Sequence, residues 1–223
     1  MWVVVALVVL VVLALLRLVT ILPLHRGEAS DFRAAAERKK NEDATTRSPV
    51  STLIVLGSGG HTAEMLRLVG SLDPDRYQPR LYVWAATDAH SQDKMQKFEA
   101  SFGGVGQTRT AVIPRSREVG QSYFSSLFTT AFALLHAVGI VLRSSPQLIL
   151  CNGPGTCIPI CASAYILKFF GRKVKIVYVE SIARVETLSL SGKLLYRTAD
   201  HFLVQWPQLQ AKYPHAQFLG RLC

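Results

Sequence analysis

Short apolar segments alternate with helix-length segments over most of the chain. Six short apolar runs predict strands, at residues 52–56, 80–85, 110–113, 148–151, 175–179 and 201–204. Five longer stretches predict the helices between them, at residues 61–72, 91–101, 123–142, 157–170 and 188–197. Alternation of this kind requires crossover connections, so the pattern predicts an α/β domain with a Rossmann-like, doubly wound parallel sheet.

An almost unbroken apolar run precedes this domain, at residues 2–22, with Arg17 as its only charge. As a helix it would extend over about 30 Å, the thickness of a bilayer's hydrocarbon core. Arg17 lies near one end, where its long side chain can reach the head groups. A cleaved signal peptide is the alternative, but no basic segment precedes the run and no clear cleavage site follows it. The run therefore predicts one retained transmembrane helix, at residues 1–24.

Basic residues follow this anchor rather than precede it, with six Lys and Arg side chains between residues 26 and 47. By the positive-inside rule, the bulk of the protein then lies in the cytosol. Residues 25–49 are polar and of mixed charge, which predicts a linker that is partly helical at residues 32–40. Residues 50–223 form the predicted domain.

The segment at residues 123–142 is almost apolar enough to be a second span. Serine, threonine, histidine and glycine residues dilute it. A second span would also put the later strands on the other side of the membrane from the earlier ones, which would split the sheet. We interpret the segment as a crossover helix, and contact of one of its faces with the bilayer is an open alternative.

The charge balance favours an anionic partner. The formal net charge is +10, and residues 1–49 contain seven basic and five acidic side chains, so +8 belongs to the domain. This surplus suits phosphates of a membrane, a nucleotide or a diphosphate lipid. No arginine-rich arm or aromatic stacking motif indicates nucleic acid. The four cysteines form no CxxC pair, which predicts reduced thiols in the cytosol, and neither a metal site nor a cofactor is expected.

The loop after the first strand is the strongest candidate site. In open α/β sheets, ligands bind beyond the carboxyl ends of the strands, and glycines let the backbone approach phosphates closely. No Gly-Lys-Ser/Thr follows, so the loop is not a P-loop, and Thr62 stands where a dinucleotide fingerprint has its third glycine. The predicted phosphate-binding residues are Gly57, Ser58, Gly59 and Gly60, although the loop could be a glycine-rich turn without a ligand. His61 is the candidate proton acceptor, with a capping or packing role as the alternative.

Three later loops also follow predicted strands and could face the same crevice. The loop after the fourth strand offers free backbone and a helix cap at Thr156, although it could be a plain turn. Glu180 and Ser181 end the fifth strand, with Glu180 as a second candidate for proton transfer. Arg115 and Arg117 follow the third strand and could bind phosphate oxygens. The remaining predicted binding residues are Asn152, Gly153 and Gly155.

Five motifs together resemble one known family: GSGGHTAEMLRLVGSL, IPRSREVGQS, LCNGPGTCIPIC, IVYVESIARVETLSLSGK and VQWPQLQAKYP. The family is the membrane-anchored subunit of the two-part eukaryotic UDP-N-acetylglucosamine (UDP-GlcNAc) transferase. That enzyme adds the second GlcNAc to dolichyl-diphosphate-GlcNAc on the cytosolic face of the endoplasmic reticulum. The resemblance extends over residues 52–221. The long charged linker before residue 50 is a departure from it.

The resemblance implies the N-terminal half of a GT-B glycosyltransferase, which takes the lipid acceptor. A separate soluble subunit would then supply the half that binds UDP-GlcNAc, and the chain would have no activity alone. By resemblance, the glycine loop matches the acceptor-side loop of bacterial relatives, in which the histidine is a candidate base. Glu180 falls where the relatives have a polar motif.

Two other functions are compatible with the residues. A membrane-tethered NAD(P) oxidoreductase would use Asp88, after the second strand, to contact ribose, although Thr62 weakens this reading. A non-enzymatic membrane receptor would use the loops only for binding.

Overall fold

A computed structural model describes residues 2–23, 48–102, 107–116, 120–153 and 155–223 of the chain. Six strands are present: β1 Thr52–Val55, β2 Arg80–Ala85, β3 Thr108–Ile113, β4 Leu148–Asn152, β5 Lys175–Val179 and β6 His201–Leu203. The helices are α1 Trp2–Ile21, α2 Gly60–Gly70, α3 Ala89–Phe102, α4 Tyr123–Ser144, α5 Cys157–Phe169, α6 Leu190–Leu195 and α7 Pro207–Lys212. The linker helix predicted at residues 32–40 lies outside the described residues.

All six strands run parallel in one sheet, in the order β3-β2-β1-β4-β5-β6. This is the strand order of a doubly wound Rossmann-like sheet, so the predicted fold class is confirmed. The chain winds outward from β1 to β3 and then returns to place β4 on the other side of β1. The crevice between the carboxyl ends of β1 and β4 is therefore the topological switch point.

The sheet has a buried core on each face, because its side chains alternate along each strand. Leu53 and Val55 of β1 belong to the core that α4, α5 and α6 cover. Ile54 and Leu56 point to the opposite face, where they join Met65 of α2 in the second core. Burial on both faces explains why the central strands are continuous apolar runs.

The apolar N-terminal helix contacts the domain through Arg17. The Arg17 side chain donates hydrogen bonds to the carbonyl oxygens of Lys168 (2.9 Å) and Phe169 (3.1 Å), at the end of α5. The structure places the Arg17 guanidinium on carbonyl oxygens at the C-terminal end of α5, where partial negative charge favours a cation, and contact of Arg17 with lipid head groups stays a prediction. Arg17 therefore connects the end of α1 to the end of α5.

Helix α4 is a crossover helix between β3 and β4, as predicted. Its inner face buries Ala133, Ala137 and Val141 in the core. By length and hydropathy, Phe124–Ser144 is also the one helix of the described residues that could cross a membrane, while Val9–Ile21 of α1 is a shorter apolar stretch. Including the residues back to Trp2, α1 is about 30 Å long. The outer face of α4 exposes large apolar side chains, which are Phe124, Leu127, Phe128, Phe132 and Leu135.

Candidate functional site

The switch point contains a crevice of about 170 Å³. Residues from the loops after β1, β2, β3 and β4 line it: Leu56, Gly57, Ser58, His61, Ala85, Asp88, Arg115, Ser116, Gly155 and Thr156. The structure therefore brings together the glycine loop, the loop after β4 and Arg115, which lie far apart in the sequence. Arg117 lies outside the described residues.

Two helices begin at this crevice without a side-chain cap. Gly59 is the N-cap of α2, with φ 63°, a conformation that glycine adopts readily. Thr156 is the N-cap of α5, at the position predicted, but its side chain makes no capping hydrogen bond. The first backbone N–H groups of a helix lack partners within the helix and carry partial positive charge. Two such ends beside Arg115 make the crevice suited to an anion.

His61 joins the two glycine-containing loops. Its Nδ1 lies 2.9 Å from Asn152 Oδ1, at the end of β4. The imidazole ring also lies directly against the backbone of Gly153, where a Cβ atom would overlap the ring. Gly153 has φ 68°, so this position favours glycine for its backbone conformation as well. The loop after β4 therefore contacts the imidazole directly, and ligand binding by this loop stays a prediction.

Glu64, one helical turn after His61, fixes the orientation of Asn152. The Asn152 Nδ2 group donates to Glu64 Oε2 at 3.0 Å, and the Ser181 hydroxyl donates to Glu64 Oε1 at 2.9 Å. Because the amide nitrogen of Asn152 faces a carboxylate, its oxygen must face His61. In a neutral imidazole, Nδ1 is then the donor to Asn152 Oδ1, and Nε2 carries the lone pair. The role of Glu64 was not predicted from the sequence, because its partners lie 88 and 117 residues away along the chain.

Thr62 explains why the loop departs from a dinucleotide-binding fingerprint. Its hydroxyl hydrogen bonds to the carbonyl oxygen of Gly57 and lies 2.5 Å from the Ser91 hydroxyl. Ser91 in turn contacts Asp88, which accepts the Ser91 backbone N–H at 3.2 Å and so caps α3. A glycine at position 62 would have no hydroxyl and would remove these hydrogen bonds. The carboxylate of Asp88 already caps a helix, so its geometry gives no support to the ribose contact considered above.

Glu180 does not line the crevice, contrary to the prediction that it projects there. The residue is fully buried. Its carboxylate accepts the backbone N–H of Ser189 at 3.0 Å and of Ser181 at 3.2 Å, and the Ser189 hydroxyl at 3.1 Å. Burial raises the pKa of Glu180, although these hydrogen bonds oppose the shift. Glu180 holds residues 181–189 against the end of β5, and a catalytic role for it stays a prediction.

The loop after β3 supplies a buried hydroxyl that the sequence analysis did not single out. Ser116 lines the crevice and is 3% exposed, and its Oγ has no hydrogen-bond partner among the described residues. Its carbonyl oxygen accepts the hydroxyls of Thr129 (2.6 Å) and Thr130 (3.1 Å) at the start of α4. A buried hydroxyl without a protein partner is expected to bind water or ligand. Ser116 therefore adds a donor to the anion-binding crevice.

No group of three or more His, Cys, Asp and Glu side chains among the described residues could hold a metal ion. The described cysteines are free thiols, and Cys151, Cys157 and Cys161 are buried. The chemistry of the crevice thus depends on helix ends, Arg115, hydroxyl groups and His61.

Comparison with known proteins identifies relatives over most of the chain. Residues 52–222 match the family model described as oligosaccharide biosynthesis protein Alg14 like. Proteins named UDP-N-acetylglucosamine transferase subunit ALG14 match at high identity. The rat protein is 51% identical over 82% of this chain and 88% of its own length, and the human protein is 50% identical over the same shares. The fission yeast protein is 46% identical over 75% of this chain and 81% of its own length.

Solved structures share the fold at low sequence identity. A UDP-N-acetylglucosamine 2-epimerase matches with a TM-score of 0.52 and 15% identity, over 75% of this chain and 45% of its own. An epimerase from Listeria monocytogenes matches with a TM-score of 0.51 and 12% identity, over 75% of this chain and 42% of its own. The chain thus spans less than half of these enzymes, and the likeness concerns the fold alone.

Proposed function

Because the chain belongs to the family of Alg14-like oligosaccharide biosynthesis proteins, we propose that it is the membrane-anchoring, acceptor-side subunit of a UDP-GlcNAc transferase. The enzyme extends dolichyl-diphosphate-GlcNAc by one GlcNAc on the cytosolic face of the endoplasmic reticulum. Relatives named as transferase subunits support the subunit role. They also exclude the oxidoreductase alternative, which was wrong.

The observation that carries this proposal is the convergence of two uncapped helix ends on one crevice. The N-termini of α2 and α5 meet there beside Arg115 and the buried hydroxyl of Ser116. Backbone N–H groups, a guanidinium group and a hydroxyl are all donors to phosphate oxygens. A diphosphate offers two adjacent phosphates to these donors. The crevice therefore suits the diphosphate of the lipid acceptor.

Residues at the crevice also suggest how the acceptor hydroxyl reacts. The hydroxyl oxygen attacks the anomeric carbon of UDP-GlcNAc, the carbon–oxygen bond to UDP breaks, and the hydroxyl proton must move to a base. His61 Nε2 is the available acceptor, because Nδ1 donates to Asn152. The partner subunit binds and positions UDP-GlcNAc, so this chain alone transfers nothing.

Reconstitution tests the proposal. Membranes that contain the full chain, its soluble partner, or both are supplied with UDP-GlcNAc and dolichyl-diphosphate-GlcNAc. The expected result is a product with two GlcNAc residues only when both proteins are present. Transfer by the chain alone, or full transfer by the partner alone, would disprove the split function. The second outcome would leave only the receptor function considered above.

A glycine variant tests whether the crevice holds the acceptor. Gly155 lines the crevice, and no heavy atom lies within 4 Å of a Cβ built on it. Gly155→Val should therefore fill ligand space without a clash and raise the acceptor KM or abolish transfer. Gly139→Val is the matched control, because Gly139 has the same open surroundings but lies on α4. Equal activity of the two variants would place the acceptor elsewhere.

A further inference from the structure

We propose that a second site, at the end of the sheet opposite the crevice, binds the phosphate-bearing head group of an anionic phospholipid. The site is a pocket of about 300 Å³, here named the basic pocket. Its lining residues are Arg17, Thr20, Ile21, Lys168, Gly171, Arg172, Lys173, Val174, Lys175 and Asp200. Lys175 begins β5, so the basic pocket lies at the amino ends of the strands.

The basic pocket is strongly positive. Five of its ten lining residues are Lys or Arg, and Asp200 is its single carboxylate. Asp200 is not a counter-ion for the whole pocket, because it is buried in an ion pair with Lys168 and also accepts the backbone N–H of Ile176 at 2.8 Å. Arg172 and Lys173 are exposed, and neither side chain forms an ion pair within the part of the chain that the structure describes. The pocket therefore attracts an anion.

The position of the basic pocket favours a membrane lipid over a soluble anion. Its wall includes the end of the apolar helix α1, which Arg17 holds against α5 through two carbonyl oxygens. Phe169 and Phe170 directly precede Gly171 of the pocket in the chain and are 36% and 77% exposed. Long basic side chains near the end of an apolar helix reach the head-group level of a bilayer, and exposed apolar side chains beside them can lie against acyl chains. A phospholipid could place its phosphate among the cations and its chains beside α1 and the two phenylalanines.

Lipid binding to the full chain in detergent micelles tests this proposal. Phosphatidylserine and phosphatidylinositol are added separately, phosphatidylcholine serves as the zwitterionic control, and bound lipid is counted by native mass spectrometry. Both anionic lipids should bind, and phosphatidylcholine should bind much more weakly. Inorganic phosphate should not displace them, because it lacks acyl chains. Displacement by phosphate at similar affinity would indicate a soluble anion and overturn the assignment, as would equal binding of all three lipids.

Two double variants locate the site. Arg172→Gln with Lys173→Gln should weaken anionic lipid binding by roughly 25-fold, since each basic residue contributes about fivefold near an anionic surface. Lys193→Gln with Arg197→Gln removes the same charge from exposed positions on and just after α6 and should bind like the wild type. All four side chains are exposed, so both variants should fold, which circular dichroism checks. Equal losses in both variants would show a general charge effect and no site. Because the readout is lipid binding, it is independent of the transferase proposal.

Discussion

The imidazole of His61 has different surroundings at its two nitrogens. Nδ1 is committed to Asn152, whose orientation Glu64 fixes, while the ring as a whole lines the crevice. A base that takes a proton in the transition state contributes about a hundredfold or more, whereas a neutral hydrogen bond contributes about 1 kcal/mol, or less than tenfold. The size of the loss in a variant therefore distinguishes a base from a positioning residue.

We expect His61→Ala to lower kcat of the assembled enzyme by about a hundredfold or more, with the acceptor KM little changed. Glu64→Gln should lower kcat by roughly tenfold, because a glutamine amide allows Asn152 to rotate and to donate to His61 Nδ1. That rotation would move the imidazole proton to Nε2. Steady-state kinetics with saturating UDP-GlcNAc measure both effects.

A loss below tenfold in His61→Ala would make this residue a positioning group and would assign proton transfer elsewhere. Glu64→Asp is the conservative control, since it keeps the carboxylate and should recover part of the activity. Wild-type rates in Glu64→Gln would show that the orientation of Asn152 does not matter for turnover.

Glu180 gives a second prediction, which concerns stability. Glu180→Ala leaves the buried N–H groups of Ser181 and Ser189 without acceptors, so the free energy of unfolding should fall by about 1–3 kcal/mol. Activity per folded molecule should change little, because the carboxylate lies away from the crevice. Urea denaturation measures the first quantity, and transfer assays on the folded fraction measure the second. A normally stable but inactive variant would restore the catalytic reading of Glu180.

The raised pKa of Glu180 also fixes the sign of a pH effect. The folded protein binds this proton more tightly than the unfolded chain. The stabilisation that protonated Glu180 adds to the free energy of unfolding is therefore fully present below the pKa of this residue in the unfolded chain. It is lost as the pH rises through the pKa of Glu180 in the folded protein. Glu180→Ala should lack this part of the pH dependence of unfolding.

At the scale of elements, helix α4 has one face that packs in the core and one face that is exposed. Its inner face packs in the core, while Phe124, Phe128 and Phe132 are 77%, 65% and 55% exposed. Transfer of such a side chain from water to an apolar phase contributes about 1.5–3 kcal/mol. A chain without residues 2–22 should therefore stay partly bound to membranes through α4.

Replacing the three phenylalanines by serine in that shortened chain should release it into the soluble fraction. Leu190→Ser with Leu194→Ser is the control, since these side chains are exposed on α6 and should not affect membrane binding. Fractionation of membranes by centrifugation measures both variants. A shortened chain that is soluble with its α4 face intact would assign all membrane binding to α1.

The sequence predicted buried elements better than exposed ones. The predicted bounds of β2 and β5 match the structure, because strands covered on both faces are apolar throughout. Edge strand β3 begins two residues before its predicted start, since Thr108 and Arg109 are exposed and polar. Helix α7 was not predicted. It has six residues and begins at Pro207, too short for a helical period to be recognised.

The loops of the candidate site could be predicted from the sequence, but the contacts between their residues could not. Strand ends and glycines pointed to residues 57–61 and 152–156, which the sheet order brings together. Glu64 resembled any exposed helical glutamate, and Ser116 resembled a polar loop residue. Their roles come from packing between distant segments, which periodicity does not encode.

At the scale of the whole molecule, the proposed transferase requires the domain and its soluble partner to lie on the same side of the membrane. We predict a lumenal N-terminus and a cytosolic domain, because basic residues follow the anchor. An N-glycosylation tag placed after Cys223 should stay unmodified in cells, while a tag placed before Met1 should be modified. The reverse pattern would reverse the orientation and would separate the crevice from cytosolic UDP-GlcNAc.

The contact between His61 and Gly153 restricts the order in which the two positions can change during evolution. A side chain at position 153 would overlap the imidazole, so it can be accepted only after His61 has become smaller. Loss of His61 leaves Gly153 tolerated, but the reverse order passes through a clashing intermediate. Even after the loss of His61, the φ of 68° at position 153 favours asparagine or aspartate over other side chains. Among homologues, any residue larger than glycine at position 153 should therefore occur only in lineages that have already lost the histidine.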